Sequence, residues 1–205
     1  MKKITFYLLA CILLVSLSSA ALNYSFGSLT FRSPIFNNEE EVEVITSESS
    51  VNWIAEKVSG YHEGNIAIKS AEFLFDKDLL VGGEVIIDMN TINCTDLRGT
   101  YKNKLEQHLN SDDFFNVTEY PISTLVITSA RKLDGDKYSI KADLTIKNIT
   151  DNIEFEAFLS NGKATSDITI DRTLYDIKYG SGTFFENLGD RMIDDKFKLS
   201  VDISY

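Results

Sequence analysis

Apolar and polar residues alternate with a period of two along most of this chain. Ile140, Ala142, Leu144 and Ile146 share one side of a run whose other side carries Ser139, Lys141, Asp143, Thr145 and Lys147. Phe197, Leu199, Val201 and Ile203 alternate in the same way with Lys196, Lys198, Ser200 and Asp202. Alternation of this kind predicts strands with one buried face. Ile153, Phe155, Ala157 and Leu159 predict another, although Phe158 breaks its polar side. Further strands are predicted over Ser50–Gly60, Gly64–Asp76, Leu79–Asn90, Ile122–Arg131, Lys137–Lys147 and Lys163–Arg172. Asp134-Gly135, Thr150-Asp151-Asn152 and Asn161-Gly162 separate successive runs. Asp-Gly and Asn-Gly tolerate the positive φ of tight hairpins. Short strands joined by short turns pair antiparallel, so the fold class is all-β, either a closed barrel or a sandwich.

One segment departs from this period. Leu97 to Asn110 places Tyr101, Leu105, His108 and Leu109 at helical spacing, which predicts one amphipathic helix packed on the sheet, with Thr95 or Asp96 as its cap. Ser111-Asp112-Asp113-Phe114-Phe115 reads as a second short helical turn capped by Ser111, and Pro121 ends the region. Residues 21–45 form a leader of uncertain structure. Leu22–Phe31 is a candidate extra strand there, and Asn37-Asn38-Glu39-Glu40-Glu41 reads as an acidic loop.

The first twenty residues have a different character. Met1-Lys2-Lys3 is positively charged, Ile4 to Val15 is almost wholly apolar, and Ser16 to Ala20 ends in small residues. These are the three parts of a secretory signal peptide, 1–20. The apolar run falls short of the roughly 20 residues a membrane-spanning helix needs, and no second such run follows. The expectation is export to the periplasm, or secretion, with no stable membrane insertion of the mature chain. Cys11 sits in the middle of the apolar run rather than at its end, which fits an apolar signal residue better than a lipoprotein cleavage site.

Charge narrows the partners. The formal net charge is −11, and the signal segment contributes only basic residues, so the mature chain is more acidic still. That argues against nucleic acid and anionic membrane surfaces as partners. Of the two cysteines only Cys94 lies beyond the signal, so stability must come from the core rather than from an internal disulfide.

Catalytic chemistry finds little support. Nucleophilic catalysis on a Ser–His or Cys–His pattern needs a histidine, and the chain has two, His62 and His108. His62 lies in Gly60-Tyr61-His62-Glu63-Gly64, which reads as a glycine-flanked turn or bulge, and His108 lies on the predicted helix. Both are more simply structural. No Cys-x-x-Cys or paired histidines suggest a metal, and no cofactor is implied. Asp112-Asp113 and Asp194-Asp195 lack the spacing of a calcium loop. Gly82-Gly83 sits inside a strand and suggests a bulge. The remaining signal is a surplus of aromatic residues. Phe73, Phe75, Phe114, Phe115, Phe155, Phe158, Tyr175 and Phe184 are candidates to line an apolar ligand site.

Five segments in order resemble one family. They are Ser50-Val51-Asn52-Trp53 with Lys57 to Gly64; Asp88 to Ile92; His108 to Val117 with Tyr120-Pro121; Leu144 to Thr150; and Ile170-Asp171-Arg172 with Tyr179 to Gly182 and Leu188-Gly189-Asp190. Together they are similar to the YceI-like, lipocalin-like polyisoprenoid-binding proteins, over residues 46–205. The resemblance implies an extended eight-stranded antiparallel barrel with a helix against it, an apolar tunnel, an isoprenoid or other long-chain lipid as ligand, and no catalytic residues. The alternatives are an interaction module with a side-chain-filled barrel, or a hydrolase using His62 or His108.

Overall fold

The computed structural model describes residues 39–205; the 1–20 segment and the candidate strand Leu22–Phe31 lie outside them. Nine strands form one sheet: β1 (Glu39–Glu43), β2 (Ser50–Lys57), β3 (Gly60–Asp76), β4 (Leu79–Cys94), β5 (Ile122–Lys132), β6 (Lys137–Ile146), β7 (Ile149–Ser160), β8 (Lys163–Asp171) and β9 (Ile193–Ser204). All pair antiparallel, in the order β3-β2-β9-β8-β7-β6-β5-β4, and β4 returns to β3. Eight strands thus close a barrel, and β1 pairs with Glu72–Asp76 on the edge of β3 that β2 occupies further along, the opposite edge being paired with β4. The acidic stretch read as a loop therefore ends in a strand, because Val42 packs against the core while the glutamates flank it.

The hairpin turns follow from residues that accept positive φ. Asn161 (φ 53°) and Gly162 (φ 73°) join β7 to β8 as expected. The turn between β6 and β7 is Lys147 (φ 51°) and Asn148 (φ 59°), not Thr150-Asp151-Asn152. Those three residues pair within the ladder, opposite Thr145, Leu144 and Asp143. The segment around His62 is not a turn either. The β2–β3 hairpin turns at Val58-Ser59, and Gly60 to Gly64 pair with β2. Gly64 is needed there by close approach: a Cβ would collide with the Asn93 carbonyl oxygen and meet the Trp53 indole at 2.5 Å.

The helix α1 (Gly99–Asn110) starts two residues later than predicted, and neither Thr95 nor Asp96 caps it. Thr95 Oγ1 donates instead to the Glu63 carbonyl (3.2 Å), and Asp96 binds groups on β3 and β4. The packed face also differs, since Tyr101 is exposed and Glu106 turns inward. The Glu106 carboxylate accepts the Cys94 N–H (2.9 Å) and pairs with Lys102 (3.5 Å), so a polar bridge docks the helix on β4. Ser111 Oγ donates back to the His108 carbonyl (2.8 Å) and leaves the following turn without a side-chain cap.

Candidate functional site

The inward faces of the strands do not meet. A cavity of about 220 Å³ runs inside the barrel, and its surface is almost wholly apolar. Ile87, Leu125, Phe155, Phe197, Leu199 and Val201 point inward by strand alternation yet stay only partly buried, because their tips face this hollow. A filled core would bury such side chains fully against each other. For scale, an engineered apolar cavity of about 150 Å³ stays dry and admits a benzene-sized guest.

Aromatic side chains pack together at both ends of the barrel. At one end Phe75 stacks on Tyr205 (5.4 Å) and Phe73 meets Tyr205 edge-on (5.3 Å). At the other, the Phe114 ring packs against His108 (4.9 Å) and Tyr179 (5.6 Å). Arg172 lies beside them, only 4% exposed. Its Nε donates to Asp194 O (2.9 Å), Nη1 to Ile177 O (2.8 Å) and Tyr179 O (2.9 Å), and Nη2 to Ile193 O (3.1 Å). One guanidinium thus ties the loop after β8 to the start of β9. Burial lowers its pKa, opposed by Asp195, Asp171 and Asp194.

The eight aromatic candidates divide into three groups. Phe73, Phe114, Phe115 and Phe155 line the cavity. Phe75 and Tyr175 are buried beside it, in the packed clusters at the two ends. Tyr175 is fully buried and its hydroxyl has no partner among the described residues; burial, with Asp151 and Asp171 nearby, pushes its pKa up to about 12. Phe158 (54% exposed) and Phe184 (47% exposed) are on the outer surface. Phe158 takes the outward position of β7, and Phe184 sits under the Lys178 ammonium (5.1 Å). The larger part of the lining, including Leu125, Phe197, Leu199 and Val201, consists of ordinary alternating strand residues. Alternation marks them as inward but does not distinguish a hollow from a filled interior.

His62 and His108 each sit against a carboxylate. His62 Nδ1 lies 2.8 Å from Asp96 Oδ2, and Cys94 Sγ lies 3.1 Å from the other oxygen of that carboxylate. The thiol and the imidazole therefore engage one acid rather than each other. Cys94 is fully buried, and burial, with the Asp96 hydrogen bond, raises its pKa, the direction opposite to that of a nucleophilic cysteine. His108 Nε2 lies 3.2 Å from Asp113 and its ring packs edge-on to Tyr179 (4.5 Å). Among the described residues no cluster of His, Cys, Asp and Glu is arranged to hold a metal ion.

Comparison with known proteins agrees with this architecture. Protein YceI of Shigella flexneri is 37% identical over 87 residues, 42% of this chain and 43% of that protein; Protein YceI of Escherichia coli O6:H1 gives the same figures. The match thus spans less than half of these relatives. Among solved structures, BcnA of Burkholderia cenocepacia superposes with a TM-score of 0.65 at 19% identity, over 79% of this chain and 99% of that one. A polyisoprenoid binding domain from Saccharophagus degradans, implicated in plant cell wall breakdown, gives 0.54 at 12% identity, over 78% and 95%. At these identities the likeness is one of fold. The model of the YceI-like domain matches residues 43–205, and the chain therefore belongs to the YceI-like family.

Proposed function

We propose that this protein is an exported, non-catalytic container that holds an isoprenoid or other long-chain lipid inside its barrel. The observation that carries the reading is the hollow interior with an almost wholly apolar surface. Each methylene moved from water into such a site contributes roughly 0.8 kcal/mol. The Cys94 thiol and His62 both engage Asp96, and His108 engages Asp113. The polyisoprenoid-binding description of the Saccharophagus degradans domain supports the ligand class. The charged, apolar and small-residue segments of residues 1–20 support export to the periplasm, where a lipid needs shelter from water.

Organic extraction of the purified protein, followed by mass spectrometry, tests the reading directly. A long-chain lipid is expected at near-stoichiometric yield, or else tight uptake of an added fluorescent fatty acid. Protein that yields no lipid and takes up neither fatty acid nor prenyl alcohol overturns it.

A further inference from the structure

The barrel wall is uneven. β6 and β7 pair over ten residues, and β8 and β9 over nine. β7 and β8 pair over three only, Phe158–Ser160 against Lys163–Thr165, although the strands are 12 and 9 residues long. Below Phe158 and Thr165 the ladder stops. One bond continues across the gap, from Ser166 Oγ to the Glu156 carbonyl (2.7 Å). The fully buried Tyr175 packs at the lower end, its hydroxyl without a partner among the described residues.

The cavity reaches this split from inside. Phe155 and Ala157 on one lip and Thr165 and Ser166 on the other all border it. Thr165 is an outward-facing, exposed residue, and it too borders the cavity. Outside, Phe158 stands on the lip with its ring in solvent. This is the residue that interrupts the polar face of β7, and it gives an apolar foothold beside the split. The barrel ends carry packed side chains, Phe75 on Tyr205 at one and Arg172 over Phe114 at the other. Of all the boundaries in the ring, the β7–β8 line requires the fewest hydrogen bonds to part.

We infer that the seam between β7 and β8 is a lateral portal through which an apolar chain enters and leaves the barrel. It opens by unzipping the three-residue ladder and closes when Ser166 rejoins Glu156. The inference rests on the container reading. A chain slides in sideways past Phe158, without disturbing the aromatic packing at the ends or the Arg172 clamp.

The test is to lock the seam. Phe158 and Thr165 are register partners with exposed side chains, and the double variant Phe158→Cys/Thr165→Cys can be joined and released by oxidation and reduction. Lys141→Cys/Glu154→Cys, on the fully paired β6–β7 line, is the control. The oxidised seam variant is expected to take up and release a fluorescent long-chain fatty acid roughly tenfold more slowly than its reduced form, while the control shows no such difference. Ser166→Ala, which removes the bridge to Glu156, is expected to speed both steps severalfold. Unchanged rates in the locked seam, with the probe still bound, overturn the portal alone. Wild-type protein that binds no lipid probe at all overturns the container reading and the portal with it.

Discussion

His62 and Asp96, 34 positions apart in sequence, are joined by a 2.8 Å contact between Nδ1 and Oδ2 that fastens the start of β3 to the end of β4. The same carboxylate accepts the Glu63 N–H (3.1 Å) and the Cys94 thiol. Burial alone would raise the Asp96 pKa; these bonds outweigh it and hold the acid at about 2, below its ordinary 3.8. A depressed carboxylate adds stability that is fully present above its unfolded pKa and is lost as pH falls toward its folded one. The loss should thus fall between pH 3.8 and about 2. Asp96→Asn is expected to lower unfolding free energy by about 2 kcal/mol at pH 7 and to flatten the acid limb in that window. Urea denaturation at a series of pH values measures both effects.

Arg172 is expected to be the most sensitive polar position in the barrel. Its removal leaves the carbonyls of Ile177, Tyr179, Ile193 and Asp194 without their donor. Arg172→Ala should cost about 3 kcal/mol or more, seen as a fall of roughly 6–12 °C in Tm. Arg172→Lys should recover little, because one ammonium cannot span four carbonyls. Thermal melts of the three proteins decide this.

Filling the hollow should separate binding from stability. Leu199 is partly buried and faces the cavity from β9. Leu199→Trp places an indole where a ligand chain would lie, and a hollow absorbs it with less strain than a packed core does. Lipid-probe affinity is expected to fall by about tenfold or more, with Tm changed by only a few degrees. A titration and a melt on the same sample check the pair of outcomes.

Gly64 should tolerate no side chain. It sits between the Asn93 carbonyl and the Trp53 indole, and Asn93 belongs to the paired backbone of β4. Gly64→Ala is expected to destabilise by about 1–3 kcal/mol, whereas Gly135→Ala, whose added Cβ meets nothing within 4 Å, should cost only the strain of its positive φ, about 1 kcal/mol. Chemical denaturation compares them.

The fold was largely written in the alternation of side chains, and the site only in part. The period of two identified the strands and their inward faces, because a half-buried strand must alternate. It misplaced features held by tertiary contacts. Glu39–Glu43 became a strand because β3 offers a free edge there, and Asp96 left the helix start because His62 and Cys94 bind it from other strands. Aromatic residues pointed to the interior at Phe73, Phe114, Phe115 and Phe155, but Phe158 and Phe184 proved external. Whether aligned inward faces touch or stand apart depends on the width of the ring, which no local pattern encodes.

The apolar character of the hollow also bears on heat. A space without polar partners holds water poorly, so a chain entering it has little ordered solvent to displace from the protein side. Uptake should therefore be driven by enthalpy near 25 °C, through new dispersion contacts, while the dehydration of the chain itself gives a negative heat-capacity change. Calorimetric titration over a range of temperatures should show binding that grows more exothermic as the sample warms.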